Sequence, residues 1–185
     1  FWHMRRAART GRPRQRVTLG GADPDGLTAT IAKALAPLSD QADLVVLIGP
    51  ANPDRGAIEA SLPPSATLLS DVEDMAALLS SATIVVAAAG ITLWEAMACG
   101  TAVIALHRDP LQAAAVEAAA AQHLLAGHFN VSSLDCTLLR EHAARALQDE
   151  AALGVTAARA AQAVDAQGAH RCAELILRAA RRQAA

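Results

Sequence analysis

The sequence predicts an α/β domain on a doubly wound parallel sheet of about six strands, and three observations carry that expectation. Short β-branched apolar runs alternate with helical stretches at the spacing of right-handed crossovers. Two of the runs end in turns made of glycine and alanine, at Gly20-Gly21 and at Ala88-Ala89-Gly90. Hydrophobic residues are 53% of the chain but aromatic residues only 2%, so the core must come from Ala, Val, Leu and Ile. Such a core suits helices packed closely on a parallel sheet.

Taken in order, residues 16–19 read as a strand ending at Gly20-Gly21-Ala22-Asp23-Pro24, with a helix expected over about 25–38. Residues 43–49, Asp-Leu-Val-Val-Leu-Ile-Gly, form a strand apolar enough to be buried on both faces. The Pro50-Ala51-Asn52-Pro53 turn leads into a helix to about Leu62, which Pro63-Pro64 stops. A short strand at 66–69 precedes an amphipathic helix at 72–79, with Ser70 or Asp71 as its cap. Residues 83–87 make the fourth strand, followed by a helix at 93–99 that Thr92 is placed to cap. Residues 102–106 make the fifth; Pro110 opens an Ala-rich helix to about Ala126, and a sixth strand falls near 128–130. Three helical pieces near 132–149, 151–165 and 169–182 form a C-terminal tail that reads as packing rather than chemistry.

A length of 185 residues corresponds to one domain. No apolar stretch approaches the roughly 20 residues of a membrane span, and nothing resembles a signal peptide, so a cytoplasmic location is expected. Cys99, Cys136 and Cys172 are widely separated and read as buried structural thiols. Net charge is −2, but Arg5, Arg6, Arg9, Arg12, Arg14 and Arg16 crowd the start; without them 10 basic residues face 18 acidic ones, a charge of −8. An acidic body poor in aromatic residues argues against nucleic-acid binding. Residues 1–15 are expected to be a basic interdomain linker or an expression remnant, and 16–185 the domain.

Both small-residue turns follow strands and so belong on the carboxyl edge, where open α/β sheets hold their ligands. Side chains this small let a ligand approach the backbone, and the helix start behind Gly90 turns free N–H groups and a positive dipole end toward an anion. Glu95, one turn further on, offers a carboxylate that can accept two hydrogen bonds from a vicinal diol. The plain alternative is an ordinary strand-to-helix junction bearing a surface Glu. A nicotinamide fingerprint is absent, since the first turn reads G-G-A-D-P and not G-x-G-x-x-G; a Walker A loop is absent too, and Lys33 is the only lysine. No Asp/Glu/His cluster has metal-ligand spacing, so neither metal nor cofactor is expected.

Together G-G-A-D-P, D-V-E-D-M and A-G-I-T-L-W-E-A-M-A-C-G resemble the C-terminal half of GT-B-fold nucleotide-sugar enzymes, one of two Rossmann-like halves. The nearest resemblance is to the family of the UDP-2,4-diacetamido-2,4,6-trideoxy-β-L-altropyranose hydrolase of pseudaminic acid biosynthesis and its spore-coat polysaccharide relatives. The lipid-II-forming N-acetylglucosaminyltransferases are more distant. It runs over about 17–178 and includes Asp165 to Arg171, similar to a D-G-x-G-A-x-R segment of the hydrolases.

The resemblance implies a UDP or UDP-sugar ligand. Gly20 and Gly21 match its glycine turn near the diphosphate and sugar, and Asp23 of the same turn is expected among the nucleotide- and sugar-binding residues. Val72 matches the position whose backbone reads the uracil edge, so the base would rest against the Asp71 to Asp74 loop. Gly90, Ile91 and Thr92 match the turn and helix start that receive the diphosphate, and Glu95 the carboxylate on the ribose. Gln112 matches half of an asparagine-glutamine pair that reaches the donor sugar, Leu111 replacing the asparagine; His107 ends the fifth strand near the same edge.

In this family the candidate general base lies in an N-terminal half that this chain lacks, so the catalytic residues are unknown and that half is an implied partner. The expected function is donor binding for a UDP-sugar hydrolase or glycosyltransferase of surface-polysaccharide or nonulosonic acid biosynthesis. The alternative is a non-catalytic nucleotide-binding or assembly module of the same fold. Membrane association would be peripheral, through a lipid-linked acceptor only, and a homo-oligomer stays open.

Overall fold

A computed structural model describes residues 11–21, 23, 25–50 and 52–183. Three of the N-terminal arginines, Arg5, Arg6 and Arg9, lie outside the described residues. So do Ala22 and Pro24 of the first glycine turn.

Six strands form one parallel sheet: β1 (Arg14–Thr18), β2 (Asp43–Ile48), β3 (Thr67–Ser70), β4 (Ile84–Ala88), β5 (Ala102–His107) and β6 (Gly127–Asn130). Their order is β3-β2-β1-β4-β5-β6, with Val17 opposite Val46 on one side and Val86 on the other. β1 begins two residues before the expected domain boundary at Arg16. Pro13 already accepts from the Asp43 amide, and Arg12 pairs with Asp43 at 3.6 Å.

The helices are α1 (Thr28–Leu35), α2 (Arg55–Ser61), α3 (Met75–Ser80), α4 (Ile91–Ala98), α5 (Pro110–Ala121), α6 (Cys136–Gln148), α7 (Glu150–Ala163) and α8 (Gly168–Gln183). One face of the sheet, with Val17, Val46, Val86 and Ile104, buries Ile31 and Leu35 of α1 and Leu139 and Ala143 of α6. The other, with Val85, Ala87, Val103 and Ala105, buries Leu79 of α3, Leu93 and Met97 of α4 and Val116 of α5. Helices on both faces make the sheet doubly wound. The period-2 alternation of β4 and β5 divides their side chains between the two layers.

Several expected boundaries move, each for a local reason. The first helix starts at Thr28 because Asp23 caps it: its carboxylate accepts from the Leu27 amide at 3.1 Å and from Thr28 at 2.9 Å. It then tightens into a 3₁₀ turn over Ala36–Asp40, where Pro37 supplies no N–H. The third helix starts at Met75, not at residue 72. Its cap is Asp74, which accepts from Ala77 at 2.8 Å, and neither Ser70 nor Asp71 has that role. Gly90 is the N-cap of α4 and Thr92 lies inside its first turn, so the expected Thr92 cap is not made. The Ala-rich helix stops at Ala121, where His123 turns into the left-handed region (φ 57°).

Of the C-terminal helices, α6 and α7 pack as expected, but α8 does not: Leu175, Ile176 and Leu177 are exposed. Cys99 is buried as expected, whereas Cys136 is half-buried and Cys172, on α8, is exposed.

One polar pair sits inside the sheet. Gln15 on β1 is fully buried, and both of its amide atoms lack a hydrogen-bond partner among the described residues. Its neighbour Arg16 is nearly buried; burial, and then the nearby Arg14, lower its pKa.

Candidate functional site

The strand order reverses direction between β1 and β4. The loops that leave those two strands go to opposite faces and open a crevice at the carboxyl edge, the place where doubly wound sheets bind ligands. A cavity of about 250 Å³ lies there. Thr18, Gly20 and Gly21 from β1 form one wall, Gly49 and Pro50 from β2 a second, Asp71, Val72 and Met75 a third, and Thr92 of α4 a fourth.

Backbone conformation makes this space. Gly20 has φ +87°, a left-handed geometry in which an L side chain is strained. A Cβ on Gly49 would overlap the carbonyl oxygen and Cα of Gly21, so only glycine lets the β2 exit lie against the first turn. A Cβ on Gly20, Gly21 or Gly90 would meet nothing within 4 Å. Those three positions face open space. Asp71 has φ 58° despite its side chain, a strained turn that sets the path of the chain through Val72.

Of the residues singled out in the sequence, Gly20, Gly21, Val72 and Thr92 meet in this cavity. Gly90 and Ile91 stand beside it at the start of α4. The Gly90 amide is already used within its turn, donating to the Ala88 oxygen at 2.8 Å, while Ile91 is 77% exposed. The first amides of a helix have no intrahelical partner, so the α4 start keeps donors for an anion.

Glu95 lies one turn further along α4, half-buried, outside the cavity walls. Burial first, and Glu95 second, push the Cys99 thiol above its ordinary pKa, which keeps it protonated at neutral pH.

Two of the three further candidates, Asp23 and Gln112, have structural work. Both Asp23 oxygens cap α1. Gln112 is bound up in the α5 start: its amide donates to the Asp109 cap at 2.8 Å and its Oε1 accepts from the Arg108 amide at 3.1 Å. His107 ends β5 almost buried, 5.9 Å from His128 between ring centres, and its Nδ1 has no partner among the described residues.

Gly49, Pro50 and Met75 line the cavity but were not among the expected residues, whereas Asp71 begins the loop expected to carry the base. The signal for the first two was present, since Gly49-Pro50 follows β2 on the same edge as the two turns already chosen. Met75 gave none, because its place in the wall depends on where the third helix starts. Among the described residues no group of three or more His, Cys, Asp or Glu is placed to hold a metal, and no helix is long and apolar enough to cross a membrane.

The six-stranded parallel sheet with helices on both faces is Rossmann-like, the fold of one half of a GT-B protein. The chain belongs to the family described as glycosyl transferases group 1, whose model matches residues 16–149. Similar solved structures include MurG of Acinetobacter baumannii, at 20% identity and TM-score 0.67 over 83% of this chain and 46% of that one. Another is the spinosyn rhamnosyltransferase SpnG complexed with thymidine diphosphate, at 20% identity and TM-score 0.65 over 86% and 43%. The glycosyltransferase VinC in complex with dTDP has 23% identity and TM-score 0.68 over 95% and 43%. The chain thus spans less than half the length of these structures. No curated protein matches it by sequence.

Proposed function

We propose that this domain holds the nucleoside diphosphate of a nucleotide sugar, a UDP-sugar in the first instance, as the donor half of a glycosyltransferase. The observation that carries the reading is the meeting of Gly20, Gly21, Val72 and Thr92 around one cavity at the switch point. In this reading the base rests against Val72 and Met75, with main-chain groups of the 71–72 turn at its edge. The diphosphate faces the glycine turn and the α4 start, at Gly90, Ile91 and Thr92. Glu95 takes the ribose hydroxyls from the outer turn of α4. His107 stands toward the donor sugar, Gln112 holds the start of α5 beside it, and Asp23 holds the first turn in shape through its cap.

The chemistry would then be transfer at the anomeric carbon. An oxygen nucleophile forms the new C–O bond, the bond to the β-phosphate oxygen breaks, and the nucleoside diphosphate leaves with the electron pair. Amides and a helix start aimed at the leaving phosphate stabilise charge that grows in the transition state. A second domain would supply the base and the acceptor: a sugar or lipid-linked hydroxyl for a transferase, water for a hydrolase of the pseudaminic acid kind. Thymidine diphosphate is the second ligand to weigh, because SpnG and VinC carry that nucleotide in their crystals.

Calorimetric titration with UDP, thymidine diphosphate, CDP, ADP and inorganic phosphate tests the reading. A pyrimidine diphosphate is expected to bind most tightly, and Glu95→Ala to weaken it about tenfold, the worth of one or two hydrogen bonds. No heat from any diphosphate at millimolar concentration, or equal binding of inorganic phosphate, would overturn it.

A further inference from the structure

The cavity is lined by glycine, proline, methionine and aliphatic residues with two threonines and Asp71, and among the described residues none of its lining side chains is cationic. A nucleoside diphosphate would bring at least two negative charges to it.

The turns that wall the cavity also bound a gap of only about 10 Å³ beside it, between Leu19, Asp23 and Asp25 on one side and Ala88, Leu106 and Arg108 on the other. Arg108 closes this gap through an ion pair with Asp25, Nη2 to Oδ2 at 3.3 Å, with the two side chains 31% and 36% exposed.

The base of Arg108 is fixed. Its amide donates to Gln112 Oε1, and Leu106, two residues earlier, accepts from the Ala89 amide at 2.7 Å. This ties the end of β5 to the turn that carries Gly90. A guanidinium therefore stands one strand away from that turn, anchored at its main chain and held at its tip by a single part-exposed carboxylate.

We propose that Arg108 is the cationic side chain of the nucleotide site: on binding it leaves Asp25 and pairs with the diphosphate. The inference rests on the nucleotide reading above. A part-exposed ion pair contributes little, so the exchange is cheap. The guanidinium fork matches two phosphate oxygens at once, which one carboxylate at this distance does not use. In this arrangement Asp25 competes with the ligand, and Gln112 acts as a positioning residue for Arg108. The role of Gln112 follows from the bond it makes and not from reaching a sugar.

The sign of the Asp25 effect separates this exchange from a simple staple between two loops. Wild type, Arg108→Gln, Arg108→Lys and Asp25→Asn would be titrated with UDP and thymidine diphosphate, and with uridine and thymidine by chemical-shift titration, which reads millimolar affinities. Arg108→Gln is expected to lose about 10- to 100-fold in diphosphate affinity, the worth of a charge-assisted pair, and to change nucleoside affinity less than about twofold. Arg108→Lys should fall between it and wild type, and covers the case in which Arg108→Gln does not fold. Asp25→Asn should bind the diphosphate about two- to fivefold more tightly.

Unchanged diphosphate affinity in Arg108→Gln, or a loss in Asp25→Asn, overturns the exchange while wild-type binding leaves the nucleotide reading standing. No wild-type binding of either diphosphate overturns both.

Discussion

The contact between Gly49 and Gly21 decides whether the crevice is built as described, and one methyl group probes it. A Cβ added at Gly49 would fall inside the van der Waals radii of three main-chain atoms of Gly21: its oxygen, Cα and carbonyl carbon. No rotamer change relieves such an overlap, so the β2 exit or the first turn must move. Overpacking of this kind costs about 1–3 kcal/mol. For a domain of this size each kcal/mol lowers Tm by about 2–4 °C, so Gly49→Ala is expected to melt roughly 2–12 °C below wild type. Gly21→Ala is the internal control, because the same methyl there meets nothing within 4 Å and Gly21 has no positive φ. Its stability should hold or rise by about 0.4–1 kcal/mol through the unfolded chain. Its nucleotide affinity should fall, since the new methyl stands in a wall of the cavity. Calorimetric melting and urea unfolding of both variants read the effect. Equal stability of Gly49→Ala and wild type, or a Gly21→Ala less stable than Gly49→Ala, would refute the close approach and the cavity it shapes.

Three other outcomes follow from groups outside the cavity. Gln15→Met should raise stability by about 1–3 kcal/mol in urea unfolding, because it removes two buried polar atoms that lack partners among the described residues and keeps the volume. Asp165, held by Arg171 at 2.6 Å, has its pKa lowered to about 2, first by that hydrogen bond and then by the Gln167 amide. A lowered folded pKa means the contribution is complete above the ordinary value of 3.8 and fades as pH falls toward 2. The Asp165 carboxyl carbon in an NMR titration should therefore show a midpoint near 2, moving up in Arg171→Gln. A thiol reagent at neutral pH should label Cys172 at once and Cys99 only on unfolding, because Cys172 is exposed and Cys99 is buried with its thiol pushed up.

The fold was legible because its signal is periodic. Runs such as Leu44 to Ile48 and Val103 to Leu106 are apolar enough to be buried on both faces, and several such runs separated by helices leave few arrangements other than a parallel sheet. Helix starts were less legible, and for one reason: several residues of the right type compete for each cap. Ser70, Asp71 and Asp74 all precede the third helix, and only the structure shows that Asp74 accepts from Ala77 while Asp71 bends the chain past Val72. Thr92 looked like a cap by residue type, yet Gly90 reaches the extended geometry of that position and moves Thr92 into the helix and the cavity wall. Asp23 and Gln112 illustrate the opposite limit. Polar side chains near a ligand edge read as ligand contacts in a sequence, but here their hydrogen-bonding atoms hold α1 and the α5 start. Arg108 escaped notice because its interest comes from Asp25, which lies far from it in the chain and 3.3 Å from it in space.

A site walled by glycines and aliphatic residues has an electrostatic consequence. The body carries an excess of acidic residues once the N-terminal arginines are set aside, so its long-range field does not draw an anion in. In the proposed nucleotide site, what would hold a diphosphate acts at short range: amides of the first turn, the start of α4, and, on the proposed exchange, a guanidinium that first leaves its carboxylate. Such contacts are effective within about one turn of a helix and over hydrogen-bond distances, well inside the roughly 10 Å over which 0.1 M salt screens exposed charges. Selectivity then depends on shape, because a ligand must bring its phosphates to within hydrogen-bond reach of these few donors before any attraction is felt. On the proposed nucleotide reading, the glycines that permit such an approach are as much a part of recognition as any charged residue. Gly49 belongs to that set although it need touch no ligand: its missing side chain fixes where the Gly20-Gly21 turn stands.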